Sequence, residues 1–137
     1  MTILKMFLLD TNIISELARK KPNPNVLNWA AKVTEISVSV VTVEEISYGL
    51  SWKPNSQIQE WFENFFESNC QIFPVTTNIA KLSGKLRGRF QSQGQTRSQA
   101  DMIIAATAKI HQLTLVTRNT RDFEGCGVLL LNPFEDK

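Results

Sequence analysis

Five short apolar runs, separated by stretches with helical spacing, leave few folds open to this chain. The runs are residues 5–9, 35–41, 71–75, 113–117 and 127–131, and each has about the length of a strand. They are continuously apolar rather than alternating, which is the pattern of strands covered on both faces. Helical patterns fill the intervals at 11–19, 23–33, 42–50, 56–68, 78–91 and 98–111. Pro24 stands near the start of the second of these, where a helix tolerates proline. In 56–68, Ile58, Trp61, Phe62, Phe65 and Phe66 fall on one stripe, the mark of a helix laid on a core. Strand–helix alternation of this kind predicts an α/β domain with a mainly parallel sheet.

A chain of 137 residues suits one compact domain. The apolar fraction of 42% and the charged fraction of 20% are those of an ordinary soluble domain. A net charge of +2 argues against a strongly basic nucleic-acid binder, so any basic patch must be local. Cys70, Cys126 and the single His111 cannot make a Cys/His zinc site, and two free thiols in a reducing compartment are expected. The opening segment carries no leader-like apolar stretch, and no segment reaches bilayer length. The expectation is a cytoplasmic protein without membrane contact.

Acidic and amide residues recur where strands should end and helices begin. Asp10 closes the first run. Glu45 follows the second. Asp101 opens the helix at 98–111, and Asn119 and Asp122 follow the fourth run. Each has a modest explanation. Thr42–Glu45 and Ser98–Asp101 fit capping boxes, Asn119–Asp122 is a looser version, and Asp10 fits a plain N-cap. In a parallel sheet with crossover helices, all these positions share one edge, and caps would share it as well. The discriminating condition is distance within that edge. If the first and fourth strands are neighbours, Asp10 and Asn119/Asp122 flank one crevice where strand order reverses, and ligands bind at such points. Carboxylates gathered there would repel, and a hard divalent cation with oxygen ligands relieves the repulsion.

At these residues the sequence resembles PIN-domain ribonucleases, specifically the VapC-type toxins of toxin–antitoxin pairs. The resemblance rests on "LLDTNIISE", "VSVVTVEEISYGL", "ADMIIAATAKIHQLTLVTRNTRDFEG" and "VLLLNPFE", in that order. It implies a single PIN-like domain, a five-stranded parallel sheet with helices on both faces, over residues 1–134 with a short tail at 135–137. It implies a magnesium-dependent endoribonuclease, with Mn²⁺ as a substitute, cleaving RNA phosphodiesters with a metal-activated water. By motif, Asp10 and Asp101 become the principal metal ligands and Glu45 completes the set. The fourth position falls to Asn119 or Asp122, and the residues leave that choice open. Thr11 and Thr117 offer hydroxyls beside the site, and Arg118 and Arg121 flank Asn119 as charges for the substrate. The implied partners are an antitoxin, the RNA substrate and a second copy in a homodimer.

Lys81, Lys85, Arg87, Arg89 and Arg97 form a basic stretch. It reads either as an RNA-backbone contact, which Arg87, Arg89 and Arg97 would make, or as a solvated helix face. The alternative function is a non-catalytic PIN-like binding module that acts with its antitoxin as a DNA-bound corepressor. A receiver-like or phosphatase-like site is disfavoured, because the last run leads into "NPFEDK" rather than a lysine-bearing turn.

Overall fold

The computed structural model describes residues 6–68 and 70–135. Its elements run β1 (Phe7–Leu9), α1 (Thr11–Leu17), α2 (Pro24–Ala31), β2 (Ile36–Ser39), α3 (Val40–Trp52) and α4 (Ser56–Ser68). They continue through β3 (Cys70–Phe73), α5 (Thr77–Ser92), α6 (Gln99–Ile110) and β4 (Thr114–Val116) to β5 (Leu130–Leu131), with a 3-10 turn at Thr120–Phe123. The five strands form one sheet in the order β3-β2-β1-β4-β5. Every pairing is parallel. The fold is therefore the α/β architecture expected. Part of the first run and residues 136–137 of the tail lie outside the described residues.

Pleating sends neighbouring residues to opposite faces, and the two faces have separate cores. Leu8 and Leu115 meet Leu86, Phe90, Met102 and Ala105 of α5 and α6 on one side. Leu9, Val38 and Val116 meet Ile13, Ile14, Val26, Ile46 and Phe62 of α1 to α4 on the other. The aromatic stripe of α4 belongs to this second core, with Phe62 buried and Trp61, Phe65 and Phe66 half-buried against it. Trp61 and Phe65 stack with ring centres 5.2 Å apart. Among the described residues, no helix is long and apolar enough to cross a membrane.

The strands are shorter than their apolar runs, for local reasons. The Ser39 hydroxyl accepts the Val41 N–H at 3.1 Å and starts α3 there. Val40 and Val41 thus join a helix although they are β-formers. This overturns the capping box expected at Thr42–Glu45: Thr42 is the third residue of the helix and is buried. The Ser98 cap is as expected, its Oγ accepting the Asp101 N–H at 3.0 Å. The helix expected at 78–91 runs one residue further, to Ser92. There Gly94 takes φ +78° and the Gln95 N–H donates back to Phe90 O at 2.9 Å. That back-bond is half of a Schellman stop, and glycine adopts its left-handed residue without strain. The last run yields only Leu130–Leu131, because residues 127–129 approach the sheet as irregular chain.

Candidate active site

The strand order reverses between β1 and β4, so the condition set by the sequence is met. β1 pairs with β4 through Leu9 and Val116, and one step further the Asp10 N–H donates to Val116 O at 2.9 Å. That register sets Asp10 beside Thr117, whose hydroxyl donates to Asp10 Oδ2 at 2.8 Å. Asp10 is also the N-cap of α1, with Oδ1 accepting the Thr11 N–H at 2.8 Å. A third donor, Asn12 Nδ2, reaches Oδ2 at 3.1 Å. Capping and site-building are thus done by one carboxylate. Burial pushes that carboxyl from 3.8 up to about 6, against the pull of the Thr117 and Thr11 hydrogen bonds; the Asp101 and Glu45 charges push it further.

Glu45 projects from α3 towards the same place. Thr11 Oγ1 lies 2.7 Å from Glu45 Oε1 and 3.1 Å from Thr42 Oγ1. A hydroxyl has one proton, and the carboxylate, which only accepts, takes it. The Thr42 contact is then made by Thr42's own proton. Asp101 stands half-buried in the first turn of α6. Its carboxyl is also raised, first by burial, with the Ser98 hydroxyl offsetting part, the Asp122 and Glu45 carboxylates adding to the rise and Arg97 opposing it. The Asn119 N–H donates to Thr117 Oγ1 at 3.0 Å, while its side chain makes no capping bond. Asp122 lies exposed in the 3-10 turn.

Asp10, Glu45, Asp101, Asn119 and Asp122 line one open crevice of about 590 Å³. Thr11 shares this lining, and Thr117 touches it through Asp10. Among the described residues, no three acids converge tightly enough to form a closed ligand cage. A small hard dication does not require one, since Mg²⁺ keeps several waters and takes one or two carboxylates. The acids offer only oxygens, and Asp10 and Asp101 are raised in pKa first by burial and then by neighbouring carboxylates, so the set fits such an ion. A cavity of similar size, about 560 Å³, lies at the other end of the sheet between Leu27, Ile36, Trp61 and Phe65. Glu35 is its only acid, so it has no comparable chemistry.

The crevice also contains Asn12, Ser15, Glu16 and Arg19, which sequence reading missed. Their spacing of three and four along α1 and just beyond it was the available signal, since such residues share a helix face. Glu16 is buried, accepts Arg19 Nη1 at 3.2 Å and accepts the Asn23 N–H at 2.8 Å. The expected arginines are placed differently. The Arg118 guanidinium lies over the Phe134 ring, 4.6 Å from its centre, and Arg121 is exposed and does not line the crevice. Arg97 is committed to the fold: it donates to Asp122 O at 2.6 Å and Glu124 O at 3.0 Å and stacks on Phe90. Arg89 reaches Gly125 O at 3.4 Å, and Arg87 is a solvated residue of α5. His111 stacks on Phe73, with ring centres 4.1 Å apart, and ends α6 away from the crevice. Cys70 and Cys126 are free thiols outside the crevice.

Comparison with known proteins adds to this picture. Residues 7–126 match the family model described as PIN domain. A VapC ribonuclease of Sinorhizobium fredii is 32% identical over 95% of this chain and 99% of its own length. The crystal structure of FitAcB from Neisseria gonorrhoeae superposes with a TM-score of 0.82 at 32% identity, over 95% of this chain and 99% of that one. VapBC2 from Rickettsia felis, bound to a DNA fragment from its promoter, gives a TM-score of 0.78 at 29% identity, over 93% and 98% of the two chains.

Proposed function

Because the chain belongs to the PIN domain family, and within it to the VapC ribonucleases, we propose that it is a metal-dependent endoribonuclease acting as the toxin of a toxin–antitoxin pair. The observation that carries the reading is the crevice, where oxygen ligands from four separate segments face one another at the switch point of the sheet. Asp10 and Asp101 would hold Mg²⁺, or Mn²⁺ in its place, and Glu45 would complete the set directly or through water. A bound ion of this kind lowers the pKa of a water and offsets charge on a phosphodiester.

The protein's own residues do the positioning. Thr117, Asn12 and the Thr11 N–H fix both oxygens of Asp10. The Thr11 hydroxyl fixes one oxygen of Glu45, so two of the acids are oriented before substrate arrives. Neutral Asn119 serves to orient water or to donate to a carboxylate, and Asp122 stands at the rim as the remaining acid. Arg19, held by Glu16, brings the positive charge closest to the crevice.

The domain we assign is residues 1–134, with 135–137 as a tail. Its proposed partners are an antitoxin, as in the VapBC2 complex, and a second copy of the chain. Tyr48 and Trp52, 64% and 70% exposed on α3, offer apolar area for such contacts. The DNA-bound state of that relative favours a second reading, a corepressor that acts only within a complex on promoter DNA. Incubating RNA with the purified, partner-free protein separates the two. Cleavage with Mg²⁺ or Mn²⁺ that stops in chelator is expected; RNA left intact under all conditions overturns the nuclease and leaves the corepressor.

A further inference from the structure

An acidic crevice is a poor place for a polyanion. Asp10, Glu45, Asp101 and Asp122 all repel an incoming phosphodiester chain, and a single dication offsets only part of that charge. A strand of RNA needs cations next to this crevice, and most arginines of the sequence are occupied or distant. Arg97 and Arg89 are bonded to backbone carbonyls of the turn after β4, and Arg87 is on α5.

One neighbouring pocket has the required character. It encloses about 380 Å³ and contains Arg19, Lys21, Arg118 and Phe134, with Glu16 at its base and Asn23 on its wall. Glu16 and Arg19 line both this pocket and the acidic crevice, so the two are continuous. Three cations face one carboxylate here, and that carboxylate is buried and already engaged by Arg19 and the Asn23 N–H. The outward field is therefore positive.

The pocket is also built rather than incidental. The Arg118 N–H donates to Asn12 Oδ1 at 3.4 Å, and Asn12 Nδ2 donates to Asp10 Oδ2, so the pocket is tied to the first acid by one side chain. Asn132 Nδ2 donates to Arg118 O at 3.3 Å while Asn132 Oδ1 accepts the Phe134 N–H at 3.0 Å. Asn25 Nδ2 donates to Phe134 O at 3.0 Å. Asn25 and Asn132 thus hold the backbone of Phe134, and Asn12 and Asn132 that of Arg118, whose guanidinium rests on the Phe134 ring. The loop from α1 to α2 carries Pro22, and Pro24 opens α2, so the backbone here is restricted on both sides of Asn23.

We propose that this pocket is a subsite for a backbone phosphate of the RNA strand beside the cleaved bond, with Arg19, Lys21 and Arg118 as its cations and Phe134 as the plate that holds Arg118 flat. Arginine supplies paired donors that match phosphate oxygens. An arginine plane stacked on an aromatic ring also presents a face on which an unpaired base can lie. The inference rests on the nuclease reading for the identity of the strand, and it explains why the segment "NPF" folds back over α2.

The test is binding of a labelled single-stranded oligoribonucleotide in EDTA, by anisotropy across a salt series, so that no cleavage intrudes. Lys21 and Arg118 are exposed, and their joint replacement, Lys21→Gln with Arg118→Gln, leaves the core intact. Arg19 is left in place because Glu16 depends on it. The double variant is expected to bind about tenfold more weakly, and its salt slope to flatten by roughly 0.7 for each phosphate that is no longer neutralised. Phe134→Leu is expected to weaken binding by less and leave the slope unchanged. Lys53→Gln, which removes a charge that lines neither the pocket nor the crevice, is expected to bind as wild type does. Unchanged affinity in the double variant, or no binding by wild type, overturns the subsite. Metal-dependent cleavage with unchanged binding in the double variant would sink the subsite and spare the nuclease. Binding abolished in the double variant, with wild type that never cleaves, would do the reverse.

Discussion

Asp10 and Asp101 face one crevice from two walls, and the walls are held very differently. On the β1 side, Asp10 is buried and takes donors from Thr11, Asn12 and Thr117, while the adjacent Thr11 hydroxyl secures Glu45. On the α6 side, Asp101 is half-buried with the Ser98 hydroxyl as its hydrogen-bond partner among the described residues, and Asn119 and Asp122 stand on a single 3-10 turn. One wall is oriented in advance; the other is left to adjust. A site of the proposed kind, which would accept an ion, a strand and a water in turn, would gain from this pairing, because fixed orientation on one side lowers the cost of reorganisation there.

The largest effect that tests the comparison is on activity. Asp10→Asn and Asp101→Asn are each expected to reduce cleavage by about 10³-fold, the scale of losing a ligand worth several kcal/mol of charge stabilisation. Raising Mn²⁺ is expected to recover part of the loss in Asp101→Asn and none in Asp10→Asn, since the looser wall can be re-formed. Equal recovery in both variants, measured by initial rates, would break the distinction.

Next in size is the pH dependence of stability without metal. The Asp10 carboxyl binds its proton more tightly in the folded chain, at about 6, than at its ordinary 3.8. Its stabilising protonation is therefore complete below about pH 4 and is lost as pH rises through 6. At roughly 1.36 kcal/mol per unit, this amounts to about 3 kcal/mol. In EDTA, Asp10→Asn should gain on wild type by about that much between pH 4 and pH 7 in denaturant unfolding. Asp101→Asn should gain in the same direction by less. A flat difference for Asp10 would show that burial does not govern its charge.

The smallest effects concern the supports. Thr117→Val removes a donor from Asp10 and the acceptor of the Asn119 N–H, and is expected to cost about 1–3 kcal/mol. It should also raise the Asp10 pKa further, since that bond holds it down. On the other wall, Ser98→Ala removes one cap and is expected to cost about 1 kcal/mol. Comparable losses, with no shift at Asp10, would mean that the two walls are alike.

Much of this was legible locally. Serine and threonine caps, helical periodicity and apolar runs act over a few residues, and α4 has the bounds that its stripe implied. The site acids were legible too, although each could pass for a cap. Thr42 shows where local pattern misleads: its spacing to Glu45 satisfies the capping box, but Ser39 starts the helix earlier and leaves Thr42 buried behind Thr11. Arg97 shows the same limit for charge. Its place in the sequence suggested an RNA-backbone contact or a solvated face, yet the carbonyls of residues 122 and 124 accept its guanidinium hydrogens.

By itself the sequence determined the alternation of strands and helices, the free thiols and the set of acids at one edge of a sheet, because each follows from periodicity or composition over short range. Only the tertiary structure decided that β1 lies against β4, and with it that Asp10 meets Thr117 across 107 residues. Hydrogen bonds and charges act over a few ångströms, and chain positions so far apart become neighbours only through the order in which the strands are packed.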